Sequence, residues 1–148
     1  MDGVADTITF RPQTGEDLPF IHSSWGSSAY RGSSAYRALS PDEFHSFHRP
    51  LRERFFSKPN TAVIVAADKS DPWLILGWIA VEKIPSGLIL QYVYVKSAFK
   101  GRGLAKELVK RAIPCPPVFY THFTDRASRI IGHKSDDFRG WRFVPHLV

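Results

Sequence analysis

Cysteine is nearly absent from this chain, since Cys115 is the only one in 148 residues. A single thiol excludes an internal disulfide and any cysteine-rich metal site. No apolar run approaches the ~20 residues that a membrane-spanning helix requires. The N-terminus lacks a basic segment followed by an apolar one, so no signal peptide is expected. These absences predict a cytoplasmic protein without a membrane partner.

Composition is typical of one folded domain, with 43% hydrophobic residues. The length suits a single core, and we expect one domain over residues 1–148. The net charge of +6 and the pI near 9.7 indicate an anionic partner without naming it. The basic residues are scattered and form no run, so a nucleic-acid-binding tail is not indicated. A folded basic face that contacts nucleic acid stays open.

The segment around two closely spaced glycines combines a strand, a turn and the start of a helix. Residues 90–95 are almost all aliphatic, aromatic or β-branched, as a buried strand requires. Gly101 and Gly103 permit a sharp turn and a close approach of the backbone to a ligand. The helix that follows has one apolar face, formed by Leu104, Leu108, Val109 and Ala112. Because a helix directs its unpaired N–H groups and its positive dipole end at its N-terminus, this segment predicts a phosphate site.

Two well-known phosphate-binding patterns do not match this turn. A dinucleotide loop would have a third glycine where Lys106 stands, and the Gly-Lys-Ser/Thr of a P-loop is missing. The turn resembles motif A of the GNAT N-acetyltransferase superfamily, Gln/Arg-x-x-Gly-x-Gly/Ala. Lys100, Gly103 and Ala105 occupy its three defined positions, and Val95 ends the strand where the family usually has valine.

That resemblance implies acetyl-coenzyme A as the cofactor and an amine as the acceptor, with direct attack and no acyl-enzyme. In the family, backbone amides of motif A hold the pyrophosphate, and strand amides near Val93 would polarise the thioester carbonyl. The implied cofactor-binding residues are Val93, Val95, Lys100, Gly101, Arg102, Gly103, Leu104, Ala105 and Lys106.

The order of the elements agrees with the resemblance. Strands are predicted over residues 8–12, 61–67, 74–81, 90–95, 118–123 and 141–144, and helices over 14–24, from 40 onward, from 104 onward and over 125–133. The order β-α-α-β-β-β-α-β-α-β is that of the superfamily. The expected fold class is therefore α+β, with a mixed, mostly antiparallel and splayed sheet flanked by helices.

The second helix has a strong start at Ser40, with Pro41 at the first helical position and Glu43 at the third. Its predicted apolar face is Phe44, Phe47, Leu51 and Phe55. His45 and His48 stand three residues apart, but no third ligand follows at helical spacing. No metal site is predicted.

The hexamer Gly-Ser-Ser-Ala-Tyr-Arg occurs twice in succession, at residues 26–31 and 32–37. The repeat is expected between the first two helices, where the superfamily often builds its acceptor wall. Its aromatic and basic side chains are the acceptor-side candidates: Tyr30, Arg31, Tyr36 and Arg37. A recent duplication in a tolerant surface loop is the alternative.

Acetyl transfer needs a base for the amine and benefits from an acid for the leaving thiolate. The resemblance would put a glutamate where Gln91 stands and a tyrosine where Ile131 stands. The substitute candidates are Glu82, on the preceding strand, and His122 with Tyr120, which share one strand face. Glu82 could instead be a solvated strand end, and His122 a hydrogen-bonded structural residue.

The acceptor is not readable from the sequence and could be a small-molecule, peptide or nucleobase amine. The strand Tyr-Val-Tyr-Val-Lys and the short C-terminus look like those of phage or prophage members. That likeness raises a second hypothesis, modification of a DNA base by a Mom-like enzyme. A third is a catalytically degenerate module that binds coenzyme A or nucleic acid.

Overall fold

Six strands form one sheet in the order in which they occur along the chain. The computed structural model describes residues 6–113, 118–120 and 141–143. The strands are β1 (Ile8–Pro12), β2 (Thr61–Asp68), β3 (Asp71–Ile84), β4 (Gly87–Val95), β5 (Val118–Tyr120) and β6 (Trp141–Phe143). β1 to β4 pair antiparallel, whereas β4–β5 and β5–β6 pair parallel. The prediction of a mixed, mostly antiparallel sheet is confirmed.

Four α-helices flank this sheet in the described part of the chain. They are α1 (Leu18–Gly32), α2 (Ser34–Arg37), α3 (Pro41–Ser57) and α4 (Leu104–Ala112), with short 3₁₀ helices at Gly15–Asp17 and Ser97–Phe99. The predicted order is confirmed up to β5, apart from the additional α2. The helix predicted over 125–133 lies outside the described residues. None of the described helices has both the length and the apolar character needed to cross a membrane.

The β2–β3 hairpin is tighter than predicted. The carboxylate of Asp68 accepts hydrogen bonds from the backbone N–H and the hydroxyl of Ser70, at 2.8 and 2.6 Å. Such an Asx turn needs few residues, so Asp71 already pairs with Asp68. The predicted turn over 68–72 is therefore too long, and β3 begins before residue 74.

α1 continues through the first copy of the hexamer repeat, so the predicted end near Ser24 and the loop between two helices are wrong. Ile21, Trp25 and Ala29 are buried at a spacing of four residues and keep the helix on the core. Serine is tolerated here because the hydroxyls of Ser24 and Ser28 donate to carbonyls one turn earlier, each at 2.6 Å. The second copy contributes α2.

α3 begins as predicted, with Ser40 and Glu43 forming a reciprocal capping box. Its apolar face is only partly as predicted, because Phe47 is 52% exposed. The buried residues of α3 are mainly four positions apart, so two polar side chains belong to the buried face. It consists of Phe44, His48, Arg52 and Phe55.

Gly77 on β3 lets α4 lie directly on the sheet. A Cβ at this position would be 2.6 Å from the carbonyl oxygen of Tyr94, and 3.4 Å from side-chain atoms of Leu104 and Leu108. Both leucines are fully buried. The bare backbone of Gly77 therefore fixes how closely α4 approaches β3 and β4.

We expect Gly77→Ala to lower the free energy of unfolding by about 1–3 kcal/mol, because overpacking at a backbone oxygen cannot relax through a side chain. Chemical denaturation followed by circular dichroism measures this change. Gly15→Ala is the matched control, since no atom lies within 4 Å of a Cβ built there. Equal stability of the two variants would contradict the close packing of α4.

Candidate active site

β4 contains a bulge at Gln91. Ala80 of β3 is opposite Tyr92, and the next residue, Val81, is opposite Leu90, so Gln91 is the extra residue. In the described part of the chain, β5 pairs with Leu88 to Leu90 and ends next to the bulge, and the rest of β4 continues to Val95. A bulge of this kind redirects a side chain and ends regular pairing, as is common beside active sites.

The glycine turn (residues 100–106) follows directly from this part of β4. Gly101 and Gly103 have φ values of 79° and 80°, which favour glycine strongly. Gly103 is the N-cap of α4, and its carbonyl accepts the first helical hydrogen bond, from the N–H of Glu107. The N–H groups of residues 104–106 have no acceptor within the helix, by the geometry of any α-helix.

The surroundings of the glycine turn are open and positively charged. No atom lies within 4 Å of a Cβ built on Gly101. Lys100, Arg102 and Lys106 are exposed, and the Arg102 guanidinium lies 5.2 Å from the ring centre of Phe99. Together with the helix dipole, these charges suit a phosphate group. The structure thus brings the predicted cofactor residues of the turn together beside Val95, whereas Val93 contributes a half-buried side chain on the α4 face.

Glu82 lies across from the bulge and is 7% exposed, so the alternative of a solvated strand end is wrong. Its carboxylate is 3.3 and 3.4 Å from the Nζ of Lys58, and it accepts a hydrogen bond from Nε2 of Gln91 at 3.1 Å. Gln91 is buried as well. The Glu82 carboxylate is therefore hydrogen-bonded to Gln91, which stands where the family usually has a strand glutamate.

The other catalytic candidates are Tyr120 and His122. Tyr120 is buried on β5, opposite Leu90. His122 lies outside the described residues, so its role stays a prediction.

The tyrosines of the repeat pack against α3. The rings of Tyr30 and Tyr36 are centred 5.0 and 5.1 Å from that of Phe44. The Tyr30 hydroxyl also donates to the carbonyl of Leu39 at 2.8 Å. Arg31 and Arg37 are exposed. The acceptor-side roles of these four residues remain predictions.

A buried guanidinium between α1 and α3 was not anticipated. Arg52 is 6% exposed; its Nε donates to Nδ1 of His22 at 3.2 Å, and its Nη1 contacts Nδ1 of His48. Gly26 makes room for it, because a Cβ there would be 3.1 Å from Nη1. The spacing of four from Phe44 to His48 to Arg52 is the sequence signal that could have shown that Arg52 lies on the buried face of α3. No group of three potential metal ligands occurs among the described residues.

Burial lowers the pKa of His22, and the positive charge of Arg52 lowers it further. The negative charge of Glu53 raises the pKa of His22, whereas the positive charge of Arg49 lowers it. Because Arg52 can only donate, Nδ1 of His22 must be unprotonated to accept. The cluster therefore needs a neutral His22.

We expect acid to weaken the fold through His22. Below the ordinary histidine pKa of about 6.5, the unfolded chain binds this proton before the folded chain does, so the free energy of unfolding falls with pH. His22→Asn keeps an acceptor oxygen without titrating and should lose less stability than the wild type between about pH 7.5 and 5.5. Thermal denaturation across this range, with His45→Asn on the exposed face of α3 as control, measures the difference. Identical pH profiles for wild type and His22→Asn would contradict it.

The comparisons with known proteins agree with this geometry. A profile of the acetyltransferase (GNAT) family matches residues 32–114, which is more than half of the chain. No curated protein sequence matches significantly. A proposed acetyl transferase from Pyrococcus furiosus is similar in structure, with a TM-score of 0.59, 14% identity, and coverage of 86% of this chain and 90% of that one. A transcriptional regulator from Bacillus halodurans has a TM-score of 0.57 and 19% identity, with coverage of 86% and 89%.

A proposed GNAT acetyltransferase from Desulfovibrio desulfuricans is less similar. Its TM-score is 0.48 at 15% identity, and the match covers 70% of this chain and 62% of that one. At such identities the Pyrococcus furiosus and Bacillus halodurans structures support the fold alone, and the family assignment rests on the profile.

The chain belongs to the acetyltransferase (GNAT) family. The resemblance read from residues 95–105 is thereby confirmed, and with it the general activity, acetyl-coenzyme A-dependent N-acetyl transfer. Neither the DNA-base hypothesis nor the degenerate binding module is favoured by the family match.

Proposed function

We propose that the glycine turn binds the pyrophosphate of acetyl-coenzyme A and that the acetyl group is transferred at the bulge of β4. The observation that carries this proposal is the continuity of the two features, since the turn begins five residues after Val95 and α4 is fixed on Gly77. The pantetheine arm would follow β4 from the bulge to Val95, where strand N–H groups would polarise the thioester carbonyl.

The proposed reaction is a direct displacement. The acceptor nitrogen attacks the thioester carbon, a C–N bond forms, and the C–S bond breaks with its electron pair leaving on sulfur. The nitrogen gives up one proton and the sulfur gains one. The products are the N-acetylated acceptor and the free thiol of coenzyme A, and no acyl-enzyme is formed.

Gly103→Glu should weaken coenzyme A binding at least tenfold, or about 1.4 kcal/mol. The substitution forces a left-handed backbone on a side chain that disfavours it and places a negative charge beside the phosphates. Gly103→Asn is the matched control, because asparagine tolerates this conformation and adds no charge. Calorimetric titration should show near-normal binding for the Asn variant. Pantetheine, which lacks the phosphates, should bind all three proteins alike. Normal coenzyme A binding by Gly103→Glu would refute the proposed pyrophosphate site.

We further propose Glu82 as the proton acceptor, acting through water that enters beside Gln91. It is a buried carboxylate hydrogen-bonded to the bulge residue itself. Tyr120, on the neighbouring strand, is the proposed donor to the leaving thiolate.

Glu82→Gln should reduce kcat by about 10²–10⁴-fold, the range typical of a lost general base. A higher pH should restore part of the rate, because more of the acceptor amine is then already neutral. Coenzyme A affinity and the circular dichroism spectrum should stay close to wild type, which separates a chemical role from a purely structural one. Glu16→Gln, at an exposed carboxylate, is the control. A normal kcat for Glu82→Gln would exclude Glu82 as the base.

The acceptor class is tested by thiol release from acetyl-coenzyme A with small amines, polyamines, peptides and DNA. We expect a small or peptide amine to support turnover. The cytoplasmic location, the phage or prophage origin and the single domain over residues 1–148 remain predictions.

A further inference from the structure

A small cavity lies between α1, α3 and the bulge of β4. Its polar lining comes from both helices and the sheet, namely Trp25, His48, Arg52, Arg54, Lys58 and Gln91. Gln91 is the bulge residue that contacts Glu82. The cavity therefore adjoins the place where the acetyl group is proposed to react.

The charge of this cavity is unbalanced. A guanidinium has five N–H donors, and Arg52 directs Nε at Nδ1 of His22 and Nη1 at Nδ1 of His48. Within the described ranges, no carboxylate forms an ion pair with it. Arg54 and Lys58 add positive charge at the same cavity, and among the described residues Lys58 pairs with a carboxylate, Glu82, whereas Arg54 has no such partner. Buried charges are normally paired, so a cation held in this way favours an anion.

Trp25, which also lines this cavity, has a second donor without a partner in the described part of the chain. Trp25 is 3% exposed, and its indole Nε1 is fully buried and has no hydrogen-bond partner among the described residues. An unpaired buried N–H is costly, and most buried polar groups in proteins are satisfied. A ligand oxygen in the cavity would satisfy it.

We propose that this cavity binds the carboxylate of a small, amino acid-like acceptor. Arg52 is its counter-ion, the Trp25 indole N–H is an additional donor, and the acceptor amine is directed toward Gln91. A carboxylate matches the guanidinium in shape and charge. This inference rests on the proposed function for the amine, but the anion site is testable without any catalysis.

Direct binding is measured by nuclear magnetic resonance on the full chain, with sodium acetate as the probe. We expect the Trp25 indole N–H signal, assigned with Trp25→Phe, to shift downfield and saturate with acetate. Acetamide and sodium chloride at the same concentration should leave it unchanged. Arg52→Gln should weaken acetate binding at least tenfold, and Arg52→Lys less. Arg49→Gln removes an exposed charge from the same helix and should bind as the wild type does.

The kinetic arm compares amino acids with their α-carboxamides as acceptors. We expect kcat/KM at least tenfold higher for the carboxylates, with the preference lost in Arg52→Gln through KM. The Trp25 signal should not move with coenzyme A alone, which distinguishes an acceptor carboxylate from a cofactor phosphate.

The outcomes separate the two proposals. If acetate does not move the Trp25 signal of the wild type, the anion site is wrong, whether or not Arg52→Gln folds. If amines are acetylated without preference for a carboxylate, the acceptor assignment is wrong and the proposed function stands. If acetate binds but no amine is acetylated, the proposed function fails, and the anion site stands on the titration.

Discussion

The contact of Leu104 and Leu108 with the bare backbone of Gly77 is the constraint on which the site depends. Because protein interiors are densely packed, a helix that packs closely over a glycine cannot shift without opening a void. This contact holds the start of α4, and therefore its unpaired N–H groups, at a fixed distance from β4. The glycine turn and β4 are thereby held together, and the open face of Gly101 is accessible to the ligand proposed above.

The two faces of the sheet have different tasks. The glycine turn lies on the α4 face. The opposite face, under α1 and α3, has the buried polar side chains of Glu82 on β3 and Arg52 on α3. The bulge at Gln91 lies between the two, because an extra residue in β4 turns a polar side chain toward Glu82 and shifts the register of the pairing with β3. A buried charged group is destabilising unless it has a partner, which explains why Glu82 contacts Lys58 and Arg52 contacts His22.

Sequence patterns predicted those features of the structure that depend on a few neighbouring residues. The capping box at Ser40 and the glycine turn before Leu104 are where expected, because caps and positive φ values depend on a few adjacent residues. The extent of α1 was missed, since Ser and Gly are weak helix formers and tertiary packing of Trp25 overrides them. The pairing of Arg52 with His22 was missed for a related reason. It joins residues 30 positions apart, and no spacing within one helix shows that.

Binding of coenzyme A to ¹⁵N-labelled protein, followed residue by residue through the backbone amide signals, tests the central claim most directly. We expect the largest shifts at Gly101 to Lys106 and at Tyr92 to Val95 of β4, with the amides of Ile8 to Arg11 in β1 unmoved. Shifts confined to other elements, or no saturable shift in the glycine turn, would contradict that claim.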